Sequence, residues 1–163
     1  MEIATNFFQW INDTDMAEAF RESVWLFPAI ETVHVIAIVL VVGAIARLDL
    51  RLLGLVWKDR PVTDVQDEML PWSWWAFAIA TVFGILLWTT KPIMYFRMPF
   101  FDVKMILILL AGINMLVFHH LTSNSVTLWN HDRVPPLAVR AAGGLSLAFW
   151  VSVVICGRFI GFI

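Results

Sequence analysis

The chain has 163 residues, 60% hydrophobic and 15% charged, with a formal net charge of -2 and a mean hydropathy of +0.79. That composition excludes an ordinary soluble domain and gives no electrostatic reason to expect nucleic acid. Cys156 stands alone, which excludes an internal disulfide and a multi-cysteine metal site within one chain, and no Gly-rich phosphate loop or nucleophile elbow occurs.

The opening "MEIATNFFQWINDTDMAEAFRES" lacks the basic region, apolar core and cleavage site of a signal peptide, so it is expected to stay on the protein. Phe7, Phe8, Trp10 and Ile11 suit a short amphipathic helix lying along the membrane interface. A bilayer core about 30 Å thick needs roughly 20 apolar residues per helical crossing. Residues 24–46 form the first such run, and Glu31 and His34, at i and i+3, share a face with Ile38, Val41 and Ile45. The apolar run continues through "RLDLRLLGLVW" to Trp57. Arg47 and Arg51 share one face there, with Asp49 about 200° away, and the arginines are expected to snorkel as the helix leaves the membrane.

The second predicted span, 70–90, carries Trp72, Trp74 and Trp75 at one end and Trp88 at the other, as interfacial belts do. Its Ala76, Ala80 and Gly84, at four-residue spacing, mark a helix–helix seam. In the third, 103–123, the residues Lys104, Ile108, Ala111, Met115 and His119 line up on one face, while His120 points about 100° away. His119 is thus the better inward-facing candidate, with a histidine at the water boundary, where "HHLTSNSVTLWNHD" ends the span, as the equal alternative, and mid-span Asn114 is expected to hydrogen-bond another helix. The fourth span, 137–160, offers Gly144, Ala148, Ser152 and Cys156 as a seam and ends at Arg158. The result is an all-α, integral membrane four-helix bundle, a single transmembrane domain over 1–163. Basic residues divide almost evenly between the two sides, and the acidic N-terminal tail favours both termini outside.

Ionisable groups at membrane depth are costly, so each is a functional hypothesis with a partner to be named. Glu31 pairing with Lys104 or Arg158 is the plain structural reading. Two histidines in a four-helix membrane bundle suggest haem b, with His34 and His119 as axial ligands, Lys104 and Arg158 near the propionates, and Glu31 anchoring His34. The two rings are on the order of 10 Å apart in depth at 1.5 Å per residue, so a shared iron needs helix tilt, and otherwise there are two sites. A di-iron centre is excluded, because "ETVH" is a lone Glu-x-x-His pair with no other carboxylate inside a predicted span. Zinc or copper on Glu31, His34 and another imidazole, or a proton relay through Glu31 and His34, stays open.

The leading expectation is a haem-b-type membrane electron-transfer subunit exchanging electrons with a quinone or a redox protein. The alternatives are a non-catalytic accessory subunit of a larger complex or homo-oligomer, and a small-solute or proton carrier. Neither internal repeats nor broken helices of the transporter kind occur.

Taken together, "SVWLFPAIETVH", "LDLRLLG", "LPWSWWAFA", "KMILILLAGINMLVFH" and "CGRFIGF" resemble a family of small four-span bacterial inner-membrane proteins without an assigned function. The resemblance covers nearly the whole chain. It implies four spans and a bacterial inner-membrane location, and it sets Glu31, His34, Asp49, Arg51, Lys104, Asn114, His119 and Arg158 at the family's characteristic polar positions. The chain lacks the histidine arrangement of the well-known four-span cytochromes b.

Overall fold

The computed structural model describes residues 2–122 and 126–162, and their regular structure is entirely helical. The helices are α1 (Glu2–Asn12), α2 (Asp15–Glu22), α3 (Leu26–Leu52), α4 (Val62–Thr90), α5 (Pro92–Phe96), α6 (Pro99–Thr122), α7 (Val126–Trp129) and α8 (Leu137–Ile160). α3, α4, α6 and α8 are long and apolar enough to cross a membrane. The protein is a multi-pass membrane protein with α1, α2 and α5 at the end that carries both termini.

The N-terminal segment forms two short helices instead of one interfacial helix. Thr14 separates them, its hydroxyl oxygen accepting the Ala17 amide at 3.3 Å as an N-cap for α2. α1 is anchored through Phe8, whose ring lies 4.8 Å from Phe96 and 5.8 Å, edge-on, from Trp88.

α3 runs past its expected end at 46 to Leu52. Gly54, at φ +70°, stops it: the Leu55 amide donates to the Leu50 carbonyl and the Gly54 amide to that of Arg51, both at 3.0 Å. Those two bonds make a Schellman stop, for which the left-handed position favours glycine. α4 begins at Val62, eight positions before its expected start at 70. Pro71 lies inside it without the amide hydrogen that the Asp67 carbonyl would accept.

The spans pack as an open ring: α4 against α3, α3 against α8, and α8 against α6, with no comparable contact between α4 and α6 among the described residues. Ala76 and Ala80 are buried, as the small-residue seam of α4 requires. On α8 the expected ridge is displaced: Ala148 is exposed, whereas Val139, Gly143, Val153 and Cys156 are buried. Strict four-residue spacing drifts about 40° per step around a helix, so Gly144 and Cys156 cannot share one narrow seam.

The end opposite the termini is closed by polar stitching around a small apolar core of Leu52, Val62, Trp129 and Val139. Arg51 does not snorkel. Its side chain is fully buried, with Nε donating to the Arg60 carbonyl at 2.9 Å and Nη2 to that of Asp132 at 3.1 Å. The two loops fold over it and leave it no route to water, and a buried guanidinium must find acceptors where it lies. Arg47 instead pairs with Glu68 at 3.4 Å and lies 4.7 Å over the Trp57 ring. Asn130 ties the second loop to the first turn of α4, accepting the Thr63 amide at 3.0 Å and donating to the Thr63 hydroxyl at 2.9 Å.

Candidate functional site

Because α3 continues to Leu52, Asp49 falls inside it, about 200° from Arg47 and Arg51 and therefore turned toward the other helices. Only 4% of Asp49 is exposed. It lines a cavity of about 170 Å³ between all four spans, with Ser73 and Trp74 from α4, Asn114 from α6, and Ser146 and Trp150 from α8. Phe77 and Trp150, whose rings meet edge to face at 6.3 Å, close the cavity toward the middle of the bundle.

The polar groups here are only partly satisfied. The Ser146 hydroxyl faces the Asp49 carboxyl, and Oδ2 of Asp49 is buried without a hydrogen-bond partner among the described residues. The ion pairs found among them join Arg47 and Arg60 to Glu68 and Arg133 to Asp59, so none reaches Asp49. Asn114 donates across to the Ala142 carbonyl of α8 at 3.0 Å, as its mid-span position required. A buried carboxyl oxygen with nothing to accept from is costly, and it makes a ready acceptor for a ligand's hydroxyl or ammonium. The expectation that "ETVH" holds the only carboxylate in a span is therefore corrected. The signal was the apolar run to Trp57, which carries the helix a turn and a half beyond Ala46.

A second polar cluster lies nearer the termini. His34 is half-buried on the α3–α4 seam, with Nδ1 2.8 Å from the Ala80 carbonyl. A carbonyl only accepts, so Nδ1 carries the proton and Nε2 is left with no partner among the described residues. The ring lies on Gly84, where a Cβ would come 2.9 Å from the imidazole Cε1. Gly84→Ala should therefore displace the ring and cost about 1–3 kcal/mol of stability. Thermal unfolding in detergent checks this, and a melting point equal to the parent's would show that the seam yields freely.

Of the other residues expected at a haem, Lys104 comes within electrostatic reach of His34, its Nζ passing over Gly157. Glu31 is exposed and joins neither Lys104 nor Arg158 in an ion pair among the described residues. Its carboxylate acts on Tyr95 of α5, whose phenol is held above its ordinary range by burial first and by Glu31 second. Arg158 is exposed and stacks 4.5 Å over Phe162.

His119 is not brought to His34. It is exposed in the last turn of α6, and since Lys104 is the α6 residue near His34, His119 lies about 22 Å further along the helix. Its neighbours Ile108, Ala111 and Met115 do face the cavity, but the face turns outward before His119. One iron cannot take both rings within a single chain. Among the described residues no group of three or more His, Cys, Asp or Glu is placed to hold a metal ion.

A family model described as a family of unknown function (DUF6644) matches residues 7–163. No curated protein and no solved structure matches the chain.

Proposed function

The chain belongs to that family of unknown function, and we propose that it binds small lipophilic molecules carrying a hydroxyl group, taken up from within the bilayer. The observation that carries this reading is the Asp49 oxygen left without a partner among the described residues, in a four-helix cavity walled mostly by aromatic and aliphatic side chains. An apolar cavity of about 150 Å³ accepts benzene in other proteins, so a single-ring phenol or quinol headgroup is the matching size. Its hydroxyl donates to Asp49 while the ring lies against Trp74, Phe77 and Trp150. Entry is lateral, through the gap between α4 and α6, where Trp74 is both cavity wall and 55% exposed. The reading makes the protein a carrier or receptor in the bacterial inner membrane, the location that its resemblance implies.

The test is saturation-transfer NMR on the purified chain with p-cresol and with its methyl ether, which keeps the ring and loses the donor. Cresol should bind at least about tenfold more tightly, the worth of one buried hydrogen bond to a charged or strongly polar acceptor. Asp49→Leu should abolish that preference while raising the melting point, because it removes an orphaned polar atom from an apolar site. Equal binding of the two probes, or a preference that survives in Asp49→Leu, defeats the reading.

The haem-b electron-transfer reading is favoured by one separate observation, the Nε2 of His34, without a partner among the described residues, with a cation nearby to balance a propionate. With His119 remote, the second ligand would be another residue of this chain or one from another subunit. A Soret band lost in His34→Ala supports it, and a colourless folded preparation defeats it.

A further inference from the structure

At the end that carries the termini, a pocket of about 370 Å³ opens between α1, α2, the last turn of α4 and α5. Its charged lining is Arg21, Lys91 and Arg97, with no carboxylate among the lining residues. Nor does any of these cations join an ion pair among the described residues.

Arg21 is held in a fixed pose. Its Nη1 donates to Asn12 Oδ1 and to the Thr90 carbonyl, both at 3.0 Å, and its Nη2 to the Asn12 carbonyl at 2.8 Å. All of these acceptors are uncharged, so the guanidinium is oriented without being neutralised. The nearest carboxylate in sequence to Asn12 is that of Asp13, which takes the Gln9 and Asn12 amides instead. Lys91 and Arg97 bracket α5 and are both exposed. Ile93 and Met94 supply an apolar floor between them.

The pocket begins where α4 ends its crossing, at Thr90, and exposed Trp10 and Phe96 flank this end of the molecule. Aromatic side chains at a span end mark the headgroup level of the bilayer, where lipid phosphates lie. Convergent unneutralised cations beside an apolar floor match a phosphate with an attached glycerol backbone, the guanidinium fork being shaped for phosphate oxygens. We propose that this pocket binds the phosphate of an anionic phospholipid headgroup.

The full chain in neutral detergent micelles is titrated with phosphatidylglycerol, with phosphatidylcholine and with inorganic phosphate, and bound lipid is counted by native mass spectrometry. Phosphatidylglycerol should be retained over phosphatidylcholine by a factor of about five for each free cation that it meets. In Lys91→Gln/Arg97→Gln that preference should fall to the single factor that Arg21 supplies, with the melting point unchanged, since both side chains are exposed; Arg21 is left intact because it also ties α2 to α1 and α4. Equal retention of the two lipids, or a preference untouched by the double substitution, overturns the proposal. Displacement of the lipid by millimolar inorganic phosphate assigns the pocket to a soluble anion and overturns the lipid assignment.

Discussion

Arg51→Ala should cost the fold about 2–4 kcal/mol, although Arg51 lines neither proposed ligand pocket. Its buried guanidinium binds both loops at the closed end, through the Arg60 and Asp132 carbonyls. Truncation leaves both carbonyls without their donor and opens a void beneath them, and each hydrogen bond from a charged donor is worth roughly 1.5–3 kcal/mol. Part of that gain is already offset, because Nη1 of Arg51 is buried without a hydrogen-bond partner among the described residues, which sets the upper limit. Arg51→Lys should recover little, since an ammonium is a point donor and cannot span two diverging carbonyls as a planar fork does. Arg47→Ala is the control: its link to Glu68 is partly exposed, and such pairs contribute about 1 kcal/mol or less. Denaturant unfolding in micelles separates the cases, and a loss for Arg51→Ala no larger than for Arg47→Ala would mean that the loops hold without the arginine.

A second large loss is expected at Gly143→Leu, about 3 kcal/mol or more, at the closest approach of α3 and α8. A Cβ at Gly143 would lie 3.0 Å from the Leu52 Cβ and 3.1 Å from the Asp49 carbonyl oxygen. The first is a rigidly attached atom and the second is backbone, so neither can swing aside. The helices must separate, and without a hydrophobic force between them in lipid the contact surface lost is not replaced. The same wedge shifts the backbone of Asp49, so ligand preference should fall together with stability. Gly43→Ala offers the opposite sign: nothing lies within 4 Å of a Cβ there, and a mid-helix glycine costs about 1 kcal/mol relative to alanine. Comparison of the two melting points checks both predictions, and similar shifts would show that the seam at Gly143 is not tight.

How much of this was legible depended on the kind of signal. The spans and the roles of Ala76, Ala80 and Asn114 followed from the apolar runs and from the need to satisfy or exclude polar atoms in lipid. The fate of Asp49 and Arg51 did not, because hydropathy ends a span at its first charges. Whether the helix itself continues is decided by what covers those charges, here a pair of loops over Arg51 and the facing helices around Asp49. The inward-facing reading of His119 failed for a different reason. The face that it shares with Ile108, Ala111 and Met115 is real, but periodicity gives a direction around the helix and not how far the neighbouring helices extend along it. His34 and its neighbour Lys104 were readable as polar positions, while the Ala80 carbonyl and the space above Gly84 needed coordinates.

Pro71 stands one turn from Trp74, on the helix that borders the gap in the ring. The Asp67 carbonyl already lacks its amide partner, so bending α4 at that point breaks no existing helical hydrogen bond. On the proposed lateral entry, the doorway widens by flexure of one post, with the α3–α8 and α6–α8 joints undisturbed. Threading by a bulky guest then depends on the stiffness of a single helix, and not on prising the assembly apart.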